Sequence, residues 1–474
     1  MYPSWLIGVN HHQEGGNLMK NAHRALALVL SLVASAVGSW AVAQDWPQWR
    51  GSNRDARVSG FQAPATWPNE LTQKWRVAVG EGVSTPALVG DRLYVFSRQE
   101  GHEITRCLDA ATGEQLWQDK YEVAEINGAA LRFASHSGPR CSPSVTDGKV
   151  VTLGVQGTLS CLDAATGNVL WRNTDFEGSV PRFFPSSSPI IVDGLCIAQL
   201  GSDRDGSIMA FDLATGEETW KWTGDGPAYG SPVLMTLNGA KVIVAPTASN
   251  MVAVDAADGK LLWKIAYSQG RYNASTPIVY GQHVIYAGPT RGVTAVKMEK
   301  VGDEHNSTES WSNPDNSLMY NTPVVKNGLL LGLSNLNSLF CVNAETGETM
   351  WNAPLGGSPG GESPQIGREG RAREGRTQEG RPQGGQGREG GRGQRRGRRG
   401  GPEGGGYGSI VDAGSVLFAL NPTSLLIVFE PSDKEFKQLA SYKVSESQIH
   451  AYPVIAGNRV FVKDQDSVTL WTIE

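Results

Sequence analysis

The sequence predicts an all-β fold, an eight-bladed β-propeller that is closed by an N-terminal strand pairing with the C-terminal blade. Three observations support this prediction. A strand–turn–strand motif recurs along the chain, a small residue followed by Pro precedes each unit, and an unpartnered strand near the start matches an incomplete unit at the end. Repeats with a near-constant period of this length are typical of four-stranded blades arranged in a ring.

The repeated motif opens with Asp or Asn, has Gly four residues later and ends with Trp four residues after that. Its five regular copies open at Asp109, Asp163, Asp212, Asp255 and Asn343. The opening side chain can bind nearby backbone amides, and Gly adopts the positive φ of a tight turn. We expect the Trp of each unit to dock structurally on a neighbouring blade, and this set comprises Trp117, Trp171, Trp220, Trp263, Trp311 and Trp351.

Each unit begins with Pro at the head of a strand, where its missing N–H is tolerated. The copies are Pro86, Pro143, Pro189, Pro232, Pro277, Pro323 and Pro453, and Ser409-Ile410 replaces one Pro. Pro323 and Pro453 are 130 residues apart, which corresponds to two units and one insertion. The count is therefore eight blades. The fifth unit lacks the Asp-Thr-Gly turn, and the seventh has Pro431-Ser-Asp433-Lys in its place.

The N-terminal region shows the pattern of an exported protein. We expect residues 1–18 to precede the native start. Residues 19–43 have a positive beginning, an apolar run and a small-residue cleavage site, as in a signal peptide. We therefore expect a bacterial protein in the periplasm or secreted from the cell, without a transmembrane span after cleavage. Residues 44–74 are predicted to be a coil.

Blades 1 to 6 are predicted at residues 75–355 and blades 7 and 8 at residues 407–474. The last unit supplies three strands before the chain ends. The strand Trp75–Val79 has no partner at the start of the chain and would provide the fourth. Closure of this kind leaves no open sheet edge.

Residues 356–406 differ in composition from the rest. Of these 51 residues 20 are Gly, and 11 Arg against 6 Glu give the segment a charge of +5. Because it has almost no apolar side chains, we expect a disordered insertion. The chain carries −5 in total, so the remainder carries −10. We expect no nucleic-acid partner for such an acidic body.

The five cysteines do not form the pattern of a disulfide framework. Cys107, Cys161 and Cys341 stand where sister repeats have Ala, so we expect small buried strand positions. The sequence does not decide whether Cys141 and Cys196 form a disulfide bond.

The repeated Asp-Ala-x-Thr-Gly-x-x-x-Trp turn resembles the PQQ-type repeat family. That family includes quinoprotein alcohol dehydrogenases and the outer-membrane assembly lipoprotein BamB. The resemblance implies the propeller fold. For the enzymes it implies pyrroloquinoline quinone (PQQ) held against two adjacent disulfide-bonded cysteines, with a calcium ion. No two cysteines are adjacent here, so no residue of that site can be transferred. We expect no cofactor, and PQQ with calcium only if the dehydrogenase alternative holds.

A ligand site is expected where the repeats differ. The residue three positions before each Pro varies from unit to unit. We expect these residues together to surround one opening of the ring. With their neighbours they define the funnel mouth, whose predicted binding residues are Arg140, Arg182, Tyr229, Arg271, Tyr272, Tyr320, Tyr407 and His450. Arg and Tyr are frequent in recognition surfaces. The alternative is that these residues are the mixed polar rim of any propeller.

We therefore predict an exported, monomeric, non-catalytic scaffold that binds an envelope protein or an anionic or peptide ligand, BamB-like in architecture. One alternative is a PQQ-dependent dehydrogenase with a divergent site on the same funnel. Another is an envelope module that binds carbohydrate or another polymer. No catalytic residue and no metal ligand is assigned from the sequence.

Overall fold

Eight four-stranded antiparallel sheets form the body of the protein, which confirms the eight-bladed propeller. The structure, a computed structural model, describes Met1 and residues 45–124, 136–268, 273–302, 304–355 and 407–474. The predicted extension, signal peptide and insertion (1–18, 19–43 and 356–406) lie outside these residues, apart from Met1. Within them, no helix is long and apolar enough to cross a membrane.

The first four blades follow one another in the chain, and each is ordered from its inner to its outer strand. Their strands are β2 Ala87–Val89, β3 Arg92–Gln99, β4 His102–Asp109 and β5 Gln115–Glu122; β6 Ser144–Thr146, β7 Lys149–Leu153, β8 Leu159–Asp163 and β9 Val169–Asn173; β10 Ile190–Val192, β11 Leu195–Leu200, β12 Ser207–Asp212 and β13 Glu218–Trp222; and β14 Val233–Leu237, β15 Ala240–Pro246, β16 Asn250–Asp255 and β17 Leu261–Ala266.

The remaining blades continue the ring, and the last one takes its outer strand from the beginning of the chain. Their strands are β18 Ile278–Tyr280, β19 His283–Gly288, β20 Gly292–Val301 and β21 Glu304–Asn313; β22 Val324–Lys326, β23 Leu329–Leu333, β24 Ser338–Asn343 and β25 Thr349–Pro354; β26 Ser409–Asp412, β27 Leu417–Leu420, β28 Leu425–Phe429 and β29 Gln438–Lys443; and β30 Val454–Ala456, β31 Arg459–Lys463, β32 Ser467–Thr472 and β1 Thr72–Ala78.

The ring is closed by the predicted pairing. β1 is antiparallel to β32, and Trp75 lies opposite Leu470. The strand begins at Thr72, three residues before the position expected from the sequence. The first and the last strand of the described chain therefore both belong to blade 8.

The repeated turn folds as its residue types require. In blade 2, Oδ1 of Asp163 accepts hydrogen bonds from the N–H groups of Ala165 and Thr166 at 3.0 and 2.8 Å. Gly167 has φ +76° and donates its N–H to the Asp163 carbonyl oxygen. This arrangement reverses the chain between the third and fourth strands of the blade.

The turns hold the blades together because each one receives the Trp of the preceding blade. The Trp117 indole N–H donates to the Ala164 carbonyl oxygen at 3.1 Å. A Cβ atom added to Gly167 would lie 2.5 Å from the Trp117 ring, so only Gly lets the turn rest on the indole. Equivalent bonds join Trp75 to Ala110, Trp171 to Leu213, Trp220 to Ala256, Trp311 to Ala344 and Trp351 to Ser432. The closing strand thus also supplies a docking Trp, one that the sequence did not indicate.

A second set of bonds joins the blades at the axis. In six blades the residue before the Pro accepts, at its hydroxyl oxygen, the backbone N–H of the equivalent residue in the preceding blade. Each residue in the following series donates its backbone N–H to the hydroxyl oxygen of the next one, at 2.9 to 3.1 Å: Tyr452, Thr85, Ser142, Ser188, Ser231, Thr276 and Thr322. The small hydroxyl residue at the head of these six blades is therefore a link between blades.

Part of the predicted coil, residues 45–58, enters the hub of the propeller. Arg50 is 1% exposed and donates to the carbonyl oxygens of Thr322 and Pro323 at 3.0 and 2.8 Å. Arg54 is 3% exposed and donates to the carbonyl oxygens of Ser188 and Pro232 at 3.1 and 2.9 Å, and also to that of Pro189. Burial lowers the pKa of Arg54 to about 9. These arginines bind opposite sides of the ring from within.

Candidate binding site at the funnel mouth

Three of the predicted residues form a row of stacked rings at the funnel mouth. Tyr320 and Tyr407 have ring centroids 4.5 Å apart, and Tyr407 and His450 have centroids 4.1 Å apart, each pair inclined by 24°. They come from the heads of blades 6, 7 and 8. His136, which sequence reasoning missed, follows at 6.5 Å from His450.

Arg140 contributes the cation of the site. Its guanidinium lies 5.1 Å above the Phe184 ring and donates to the carbonyl oxygens of Gly138 and His136 at 3.1 and 3.4 Å. Burial lowers the pKa of Arg140 to about 10, so the group remains charged at neutral pH. Within the described residues it forms no ion pair with a carboxylate.

The other predicted residues are less closely associated with this row. The Tyr229 hydroxyl accepts the Phe183 N–H at 3.2 Å, and the two rings are 6.1 Å apart. Arg182 is exposed, with its guanidinium 5.3 Å from the Phe183 ring. Arg271 and Tyr272 lie outside the described residues.

Both imidazoles at the mouth favour the neutral form. Burial, reinforced by the charge of Arg140, lowers the pKa of His450 to about 4. The same causes, with His450 and Lys463 nearby, lower the pKa of His136 to about 3. Among the residues that the structure describes, the buried His136 Nδ1 atom has no hydrogen-bond partner. An anion bound beside these rings would favour their protonation, because opposite charge stabilises the imidazolium form.

A buried polar row lies behind the mouth in blade 1. Arg98, Glu103 and Tyr121 face one another in the registers of β3, β4 and β5. Glu103 is 0% exposed and accepts the Tyr121 O–H at 2.6 Å and the Val155 N–H at 2.8 Å. Burial raises the pKa of Glu103. The carboxyl group also interacts electrostatically with Arg98 and Arg140, so it belongs to the charged groups around the mouth.

Lys463 is a further buried cation of this region. Its ammonium group donates to the carbonyl oxygens of Gly82 and Asp464 at 2.9 and 2.6 Å, and burial lowers its pKa to about 8. Like Arg140, it forms no ion pair among the described residues. The mouth therefore combines aromatic rings with two buried cations, and the carboxylates of Glu103, Asp464 and Asp466 interact with these cations without forming a close ion pair among the described residues.

These donors do not fit PQQ held with a calcium ion. Calcium requires several oxygen ligands with negative charge. The mouth instead offers a guanidinium group, two imidazoles and three phenols. The residues that the structure describes include no group of three or more His, Cys, Asp or Glu side chains that could hold a metal ion. All five cysteines are buried free thiols, so Cys141 and Cys196 do not form a disulfide bond.

Sequence reasoning missed the residues that support the mouth from neighbouring loops and strands. His136 and Phe184 precede the blade heads by more than the three positions used for the alignment. Glu103 and Lys463 gave no clear signal, because Glu103 lies in a strand with several other charged residues and Lys463 is the last residue of its strand. Only the register of the sheets shows that such residues share a face.

Comparison with known proteins agrees with the architecture. Outer membrane protein assembly factor BamB from Burkholderia pseudomallei is 23% identical over 297 residues, which cover 61% of each chain. Quinohemoprotein alcohol dehydrogenase from Comamonas testosteroni is 27% identical over 185 residues, covering 38% of this chain and 25% of that protein. The crystal structure of BamB from Moraxella catarrhalis has a TM-score of 0.55 at 14% identity, covering 85% of this chain and 98% of that one.

The matched regions span between a quarter and about three fifths of the length of these two sequence relatives. At 14% identity, the similarity to the solved structure shows the fold alone. The family model described as outer membrane protein assembly factor BamB matches residues 100–353, more than half of the chain. The protein therefore belongs to this BamB-like family of PQQ-repeat propellers.

Proposed function

We propose that the protein is an exported, non-catalytic scaffold whose funnel mouth binds an acidic segment of an envelope protein. The observation that carries the proposal is the position of Arg140. Its guanidinium lies among the mouth aromatics, bonds to carbonyl oxygens and forms no ion pair in the described part of the chain. Charge-assisted hydrogen bonds to carboxylates are the strong contacts that such a group can make.

The aromatic row supports the same function. Tyr320 and Tyr407 are rigid side chains with one polar atom each, which suits the recognition of a peptide. Export follows from the signal-peptide pattern at residues 19–43. The name of the relatives, outer membrane protein assembly factor, agrees with a protein partner.

The binding test uses a hexaglutamate peptide as the acidic probe and the purified protein in isothermal titration calorimetry. Arg140→Ala should weaken binding about tenfold or more, because a charge-assisted hydrogen bond contributes about 1.5–3 kcal/mol. The matched control is Arg291→Ala, which removes an exposed arginine of the β19–β20 turn and should leave affinity unchanged. Equal affinities of the two variants would contradict the proposal.

The pH dependence gives an independent check. Binding of the anion should raise the pKa of His450, so the complex takes up a proton and affinity should increase as pH falls from about 7 to about 5. The alternatives predict other results. Dye-linked alcohol oxidation after addition of PQQ and calcium would identify a dehydrogenase, and Arg140-independent binding of a neutral polysaccharide would identify a carbohydrate module.

A further inference from the structure

Two residues of the funnel mouth, His136 and Arg140, belong to one short segment of the chain, residues 136–140. The Arg140 guanidinium donates to the carbonyl oxygens of His136 and Gly138, so its position depends on the course of this backbone. The segment lies against residues 81–83, which connect β1 with β2. The support of the mouth must therefore be sought in this connection.

Glu81 binds the residue next to His136. Its Oε2 atom accepts the Ser137 N–H at 3.1 Å and the Ser137 O–H at 2.6 Å. In the described part of the chain Ser137 forms no other hydrogen bond. The bond from the Ser137 hydroxyl group is the main cause that lowers the pKa of Glu81, so the carboxylate is charged at neutral pH. Glu81 thus fixes the His136 end of the segment.

The backbone of the same connection holds the middle of the segment. The Val83 N–H donates to the Pro139 carbonyl oxygen at 2.9 Å. A Cβ atom added to Gly138 would lie 2.1 Å from the Glu81 carbonyl oxygen, so the two backbones are in close contact. Glu81 is itself anchored, because its N–H and carbonyl oxygen exchange hydrogen bonds with Arg98 of β3 at 2.8 and 2.7 Å. Binding groups keep their geometry when neighbouring residues hold them in this way.

The charge of Glu81 separates a supporting role from a direct contact with the ligand. A carboxylate repels the acidic segment that the function proposed above assigns to the mouth. If Glu81 acted through its charge alone, its removal would strengthen the binding of an acidic peptide. If it acts through Ser137, removal of its acceptor oxygens should weaken that binding. The two effects have opposite signs.

We propose that Glu81 is a positioning residue of the funnel mouth, which sets the places of His136 and Arg140 through its bonds to Ser137. This role rests on the function proposed above and adds to the site a residue of the connection between the closing strand and blade 1. It requires an acceptor oxygen at position 81 and does not require the charge.

The experiment measures the affinity of the full chain for hexaglutamate by isothermal titration calorimetry. Glu81→Ala should weaken binding about fivefold or more, although it removes a negative charge. Glu81→Gln keeps an acceptor oxygen and should bind at least as tightly as the native protein. Glu100→Ala is the matched control, because it removes an exposed carboxylate whose side chain forms no hydrogen bond or ion pair among the described residues. It should not weaken binding.

The imidazole signals of His136 in ¹H–¹³C spectra, assigned by their loss in His136→Gln, give a second readout without ligand. They should move further in Glu81→Ala than in Glu81→Gln. The proposal is overturned if Glu81→Ala binds hexaglutamate as tightly as the native protein, or if Glu100→Ala weakens binding equally. If the native protein does not bind hexaglutamate, the function proposed for the mouth fails. In that case the His136 signals still test the positioning role, which is overturned if they move no further in Glu81→Ala than in Glu81→Gln.

Discussion

Arg50 and Pro323 are 273 residues apart in the sequence, yet the Arg50 Nη2 donates to the Pro323 carbonyl oxygen at 2.8 Å. The same guanidinium bonds to the Thr322 carbonyl oxygen and the Tyr452 hydroxyl. The N-terminal segment is thus a component of the hub, and the inner strands of blades 6 and 8 share one buried cation.

Replacement of Arg50 by Met should destabilise the protein strongly. The substitution removes the charged donor and leaves buried carbonyl oxygens without partners, so we expect the free energy of unfolding to fall by about 3 kcal/mol or more. Urea denaturation followed by tryptophan fluorescence measures the change. Arg291→Met is the control, because Arg291 is exposed and substitutions at such surface positions usually change the free energy of unfolding by no more than about 0.5 kcal/mol. Equal losses in both variants would show that the hub contact is not important for stability.

Gly167→Ala should be more destabilising than Gly194→Ala. Both glycines have positive φ, +76° and +77°, and Ala pays about 1–2 kcal/mol in that region. At Gly167 the new methyl would also lie 2.5 Å from the Trp117 ring, whereas nothing lies within 4 Å at Gly194. We expect the difference to be about 1–3 kcal/mol, because overpacking costs this much. Thermal midpoints of the two variants provide the measurement, and identical midpoints would rule out the steric argument.

Trp171→Phe should destabilise the protein more than Trp263→Phe. Both changes replace a buried indole by a phenyl ring. Trp171, however, loses a bond to the Leu213 carbonyl oxygen, whereas Trp263 loses an N–H that has no acceptor within the described part of the chain. The expected difference is about 1–3 kcal/mol in the free energy of unfolding. A greater loss in Trp263→Phe, measured by urea denaturation, would mean that its N–H has a partner after all.

Stability should decrease in acid through His450. The pKa of its imidazole is lowered from 6.5 to about 4 in the folded protein, so between these values the unfolded chain binds a proton that the folded chain excludes. The stabilisation is present above about pH 6.5 and is lost progressively as the pH falls toward about 4. His450→Gln should therefore show a shallower loss of stability over this interval. Parallel pH profiles for the variant and the native protein would contradict this assignment.

The repeat unit could be predicted because its determinants are local. Asp163, Thr166 and Gly167 form their turn with each other, and Pro189 marks a strand head through its own missing N–H. The eight blades and the closing strand followed from counting these units, and the structure confirms both. Of the predicted mouth residues, Tyr320, Tyr407, His450 and Arg140 come from one alignment position, and the structure places the first three in one stack.

The long-range contacts could not be predicted in this way. Arg50 and Arg54 occur once in a short segment, and nothing in the local sequence identifies carbonyl oxygens more than a hundred residues away as their partners. The lack of a hydrogen-bond acceptor for the Trp263 N–H among the described residues could not be predicted either. Its own repeat is regular, and the change that removes its acceptor lies in the following blade.

The joining of β1 to β32 means that the order of synthesis differs from the order of assembly. The segment Thr72–Ala78 emerges early but finds its partner only after Ser467–Thr472 has been made. Until then the ring cannot close, and β1 has no strand to pair with. In a polypeptide that stops before Ser467, β1 stays unpaired. A premature stop that removes Ser467–Thr472 is therefore expected to be as damaging as a lesion in the middle of the chain.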